Sequence, residues 1–127
     1  MSSVLAKLPL LARLLLGLLF VVFGLNGFLH FIAMQPPTGA AGRYLGGLMA
    51  AGYFFPLLKG TEIVVGIALL SGRYVPLALT ILAPITVQIV AYHLFLAPAG
   101  IGMTLVILAL HLYLAWVYRD AFQPLLR

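Results

Sequence analysis

LLLGLLFVVFGLNGFLHFIA, residues 14–33, contains no Asp, Glu, Lys or Arg. Its length is that needed to cross a bilayer as a helix, about 20 residues. Lys7 and Arg13 precede it, so its front end has the look of a secretory signal. The run is longer than a signal's apolar region, no small-x-small cleavage site follows, and more apolar segments come after it. It is therefore read as the first membrane span. Gln35-Pro36-Pro37-Thr38-Gly39 closes it, because paired prolines cannot continue a helix and glycine favours a turn.

Outward from this span the pattern repeats. Residues 40–54 (AAGRYLGGLMAAGYF) are small and aromatic with one arginine, which reads as a short interfacial helix. Pro56 suits a first helical turn, and a second span over 56–71 ends at Ser71-Gly72-Arg73. This span is short, and part of the preceding segment is available to lengthen it. The third span covers 74–96, with Pro84 near its middle removing a backbone hydrogen bond. Ala97-Pro98-Ala99-Gly100 forms a tight turn into the fourth span, 101–118.

The whole composition agrees with this reading. Of 127 residues 65% are hydrophobic and 7% charged, whereas charged residues make up about a quarter of soluble domains. The expected fold is an all-α integral membrane protein: a single domain over 1–127, an antiparallel four-transmembrane-helix bundle with a short interfacial helix between the first and second spans. A closed barrel cannot be built from so short a chain, and open backbone is not tolerated in lipid. The chain has no cysteine, which excludes disulfides, thiol redox chemistry and iron–sulfur ligation by this chain alone. The net charge of +5 comes from scattered basic residues, not a patch, so nucleic acid is not an expected partner. Those residues instead set topology. Lys7, Arg13, Arg73, Arg119 and Arg127 fall on the side of the termini, against Arg43 alone on the other. The positive-inside rule then places both termini in the cytoplasm.

Chemistry is sought among polar residues that lipid disfavours, because a charge at mid-membrane costs about 2.5–3.5 kcal/mol on insertion scales. Lys59 and Glu62 stand three apart on one helical face of the second span, within reach of an ion pair. Mutual neutralisation and a ligand- or proton-handling role are both open for them. Counting depth along the spans brings Asn26, His30, Gln88, Tyr92 and His93 to the same outer layer. Together with Lys59 and Glu62 they are candidates for one polar pocket, of a kind that takes a quinone or another lipid-like molecule. Simple interhelical hydrogen bonding accounts equally for Asn26 and Gln88 taken singly. His30 and His93 make a conceivable axial pair for haem, with His111 deeper, but no spacing motif supports it and haem is disfavoured. A metal site is not expected, since there is no H-E-x-x-H and a single carboxylate in the spans. Gly17, Gly24, Gly27, Gly60 and Gly66 read as packing residues, and the Tyr and Phe clusters as interfacial anchors. No phosphate loop, nucleophile elbow or dinucleotide fingerprint occurs, and no intrinsic cofactor is expected.

Three strings, FGLNGFLHF (23–31), LLKGTEIVVGIALLSGRY (57–74) and YHLFLAPAG (92–100), follow one another in an order that resembles the DoxX family of small bacterial membrane proteins. The resemblance is strongest from Gly17 to Gly100, with Lys59-x-x-Glu62 followed by Gly66 as its best marker. It implies a four-helix bundle in the bacterial inner membrane and, through the family's namesake, association with a quinone-linked oxidoreductase. Asn26, Lys59, Glu62 and His93 match its pattern, though no catalytic set comes with it. Three functions follow as expectations. The first is an accessory subunit that binds a quinone or lipid-like molecule and supports a membrane or peripheral redox partner. The second is a non-catalytic scaffold or assembly chaperone. The third is a small-solute or proton transporter acting as a homo-oligomer, since one bundle of this length encloses little volume.

Overall fold

In lipid each backbone N–H and C=O must be satisfied within its own segment, so long apolar runs of Leu, Val, Ile, Ala and Phe form helices. The computed structural model describes residues 2–32 and 36–127, and it contains four such helices. Helix α1 is Ser2–Leu29, α2 is Gly39–Ala50, α3 is Phe54–Ser71, α4 is Val75–Phe95 and α5 is Ile101–Val117. A 3₁₀ turn at Pro98–Gly100 leads into α5, and a short α6, Arg119–Phe122, follows it.

The ends of α1 differ from the sequence reading. The helix begins well before residue 14 and takes in Lys7, Pro9 and Arg13, because long basic side chains can lie along a helix while their charge reaches the bilayer surface. Its other end comes at Leu29, short of residue 33. His30 adopts a left-handed backbone (φ 53°) that breaks the helix. The Asn26 carbonyl accepts the His30 N–H at 2.8 Å, and the Asn26 side-chain oxygen accepts the Ile32 N–H at 2.7 Å. Ala33 and Gln35, the remainder of the span and of its closing turn in the sequence reading, lie outside the described residues. The segment read as interfacial forms α2 over Gly39–Ala50, and its last residue, Phe54, joins α3 with Phe55 instead. This lengthens the second span and sets Pro56 in its first turn, where a missing N–H is harmless.

Helix α3 ends at Gly72, whose left-handed backbone (φ 76°) directs its N–H to the Ala68 carbonyl at 3.0 Å. The Ser71 hydroxyl donates to the same carbonyl and accepts the Arg73 N–H. Beyond the turn α4 carries Pro76 near its start and Pro84 within it.

Packing follows from glycine. A Cβ at Gly66 would lie 2.8 Å from the Gly17 carbonyl and 2.9 Å from the Val21 nitrogen, so α1 and α3 meet backbone to backbone there. Further along α1, Gly24 faces Ile63 and the Lys59 carbonyl, and Gly27 faces the Lys59 side chain. Rising numbers on α1 meet falling numbers on α3, so the pair is antiparallel. Helix α4 packs on α3, and α5 closes the ring against α4 and α1. Leu16, Phe20, Leu69, Leu79, Leu82 and Leu114 fill the centre. Leu18, Val64, Ile67, Val87, Leu105 and Leu112 point outward. An apolar exterior of this extent belongs in lipid.

Candidate functional site

The intramembrane charges sit on α3 where it packs against Gly24 and Gly27 of α1. Lys59 and Glu62, one turn apart on α3, bring Nζ and Oε2 to 3.3 Å. The Glu62 side chain is 6% exposed and that of Lys59 25%. The contact is an ion pair without hydrogen-bond geometry, since Oε2 receives no hydrogen bond. The buried Oε2 is thus held by charge attraction, while the Lys59 side chain, which carries three N–H donors, reaches over α1.

Gly27 determines that reach. A Cβ there would stand 2.5, 2.7 and 3.0 Å from Cγ, Cδ and Cε of Lys59, so the lysine stem lies directly across the bare backbone of α1. It leads into a cleft of about 330 Å³ lined by Gly27, His30, Met49, Gly52, Phe55, Pro56 and Lys59. The cleft sits between the end of α1, the end of α2 and the start of α3. Asn26 is buried beside it, its amide oxygen engaged by the turn that carries His30.

The other candidates gather elsewhere. Gln88 donates to the Tyr44 hydroxyl, and the Tyr44 ring stacks on Tyr92 with centroids 6.0 Å apart. Tyr92 meets His93 edge to face at 5.0 Å. His93 Nδ1 donates to the Ile89 carbonyl at 2.8 Å, and its ring fills the space over Gly100, where a Cβ would lie 2.5 Å from Cδ2. Gln88 and Tyr92 therefore hold α2 against α4, and His93 holds the 98–100 turn. Asn26, His30, Lys59 and Glu62 form one group, with His30 and Lys59 lining the cleft; Gln88, Tyr92 and His93 form a second, away from the lining.

One polar cluster has no counterpart in the sequence reading. His111 on α5 is buried between Thr86 and the Leu79 carbonyl of α4, at 2.8 Å from Nδ1 and 3.2 Å from Nε2. A carbonyl only accepts, so Nε2 carries the proton and Nδ1 accepts from the Thr86 hydroxyl. Both ring nitrogens are satisfied, two residues beyond Pro84, and the cluster ties α5 to α4. Only polar side chains inside apolar spans hinted at it, because nothing in the sequence pairs residue 86 with 111. Tyr44 likewise read as an anchor, although its hydroxyl serves Gln88. Toward the end of the bundle that carries the termini, the Arg13 guanidinium lies against Gly72 at the close of α3, where a cation is favoured by the helix dipole.

Among the described residues no three His, Cys, Asp or Glu side chains group as a metal site. The cleft offers hydrogen-bond donation from an ammonium, an imidazole at its rim and apolar walls, which suits binding. Comparison with models of known protein families, with curated proteins and with solved structures finds no match. Fold and surface are those of a small multi-pass membrane protein, with four helices among the described residues long and apolar enough to cross a membrane.

Proposed function

We propose that this protein is an accessory subunit of the bacterial inner membrane that holds a quinone or another lipid-like molecule in its outer-leaflet cleft and supports a redox partner. The observation that carries this reading is Lys59, ion-paired to buried Glu62 and extended over Gly27 into an apolar cleft. A charge is costly in lipid and tends to be kept there for use. A hydrogen-bond donor on Lys59, in a cleft also lined by Met49, Phe55 and Pro56, is suited to a ring or acyl headgroup whose tail remains among the lipids. The order of FGLNGFLHF, Lys59-x-x-Glu62 and the YHLFLAPAG turn, similar to DoxX proteins, favours the same assignment and with it a redox partner in the membrane. The concentration of Lys7, Arg13, Arg73, Arg119 and Arg127 at the end with the termini favours a cytoplasmic location for that end.

A scaffold is the second reading, favoured by the internal satisfaction of Asn26, Gln88 and His93. Mass spectrometry and an optical spectrum of protein purified in mild detergent separate the two. A stoichiometric quinone or lipid that is lost in Lys59→Ala and Glu62→Ala is the expected result. A clean, colourless protein whose variants are merely less stable would assign the ion pair to structure and favour the scaffold.

A further inference from the structure

The charge balance of the cleft bears on which headgroup it accepts. Its lining contributes one formal charge, Lys59, and that charge is already matched by Glu62 at 3.3 Å. Among the described residues no second cation lines it, and the remaining walls are glycine, Met49, Phe55 and Pro56 with the imidazole of His30. A phosphate or carboxylate headgroup would have to share one ammonium with a carboxylate that is itself buried and receives no hydrogen bond at Oε2. Two anions around one cation leave a net negative charge in a poorly polarisable setting, where like-charge repulsion is strong. A neutral carbonyl or hydroxyl incurs no such repulsion. It accepts a hydrogen from the unengaged side of the ammonium and leaves the ion pair intact.

We infer that the cleft selects a charge-neutral, carbonyl- or hydroxyl-bearing headgroup on an apolar tail and discriminates against anionic lipid, with Glu62 as the source of the discrimination. Gly27 is a positioning residue in this arrangement, since it alone leaves room for the lysine stem. The inference rests on the reading of the cleft as a ligand site. The volume, about 330 Å³, lies at the lower end of the range for small-molecule pockets, so the headgroup enters and the tail stays outside.

The test uses two probes with the same decyl tail, a decyl benzoquinone and decyl phosphate, titrated by calorimetry into the full chain in neutral detergent. Wild type is expected to bind the quinone probe about tenfold more tightly than the phosphate, a difference of about 1.4 kcal/mol. Glu62→Gln, which leaves Lys59 uncompensated, should reverse that order. Phosphate binding equal to or tighter than quinone binding in wild type overturns the inference while leaving the cleft a ligand site, as does an order unchanged in Glu62→Gln. Equal, weak binding of both probes by wild type and Lys59→Met overturns the ligand site as well. Should Glu62→Gln fail to fold, Gly27→Ala alters no charge and displaces the lysine stem: loss of quinone binding is expected, and undiminished binding overturns the inference.

Discussion

At the scale of single residues, the Lys59–Glu62 pair is asymmetric, and the asymmetry has a measurable consequence. Glu62 is almost fully enclosed, whereas a quarter of the Lys59 side chain is accessible. Removing Lys59 strands a buried carboxylate, and breaking a buried pair in this way costs about 3–5 kcal/mol. Removing the charge of Glu62 leaves an ammonium that can follow its flexible stem toward the cleft mouth, at a cost nearer ~1 kcal/mol. Lys59→Met should therefore lower stability more than Glu62→Gln, and the double variant should recover most of the loss. Denaturant titrations followed by helical circular dichroism in detergent would measure all three. Equal losses for the single variants, adding in the double, would show the two side chains to be energetically independent. Lys59 and Glu62 could be paired from sequence because their spacing is local. Nothing local showed that Asn26 is used by the turn after α1, or that His30 takes a left-handed backbone that non-glycine residues seldom adopt.

Between elements, the α1–α3 contact depends on which glycines face a neighbour. Gly66 and Gly17 stand against one another's backbone, and a methyl at Gly66 would also meet Val21 Cγ2 at 2.6 Å. Gly60 lies on the same helix with nothing within 4 Å of an added Cβ. Gly66→Ala is accordingly expected to push the helices apart and cost about 1–3 kcal/mol, the usual range for overpacking. Gly60→Ala should be neutral or slightly stabilising, because alanine is the better helix former by about 1 kcal/mol. Thermal unfolding of the two variants side by side would distinguish them, and equal losses would contradict the α1–α3 register. The existence and order of the four spans were legible because a run such as residues 14–33 has few other fates in a membrane. The register between helices was not, since both glycines look alike in sequence. The division of the polar candidates was hidden for a related reason. Counting along helices gives depth but not the direction in which a side chain points, so Gln88 and Tyr92 shared a layer with Lys59 while facing Tyr44.

For the whole molecule, four antiparallel helices place both termini and the α3–α4 turn at one end of the bundle, and the chain between α1 and α3 together with the 98–100 turn at the other. The basic residues then divide unequally, with Arg43 alone at the cleft end among those outside the spans. Basic residues near short loops are retained on the cytoplasmic side during insertion, so the cleft is expected to face outward. The natural absence of cysteine makes the test direct. Single cysteines at Arg73 and Arg127 should react with a membrane-impermeant maleimide only after permeabilisation, and cysteines at Thr38 and Ala99 should react in intact cells. The reverse pattern would turn the cleft toward the cytoplasm and with it any partner able to reach the bound molecule. Labelling of Arg73 and Arg127 from opposite sides would contradict the four-span topology itself. Because Arg73 also lies beside the turn that Arg13 covers, the measurement should be repeated with the cysteine at Tyr74, which is exposed and one residue further on. Agreement between the two positions would tie the observed sidedness to topology, independent of the charge removed at Arg73.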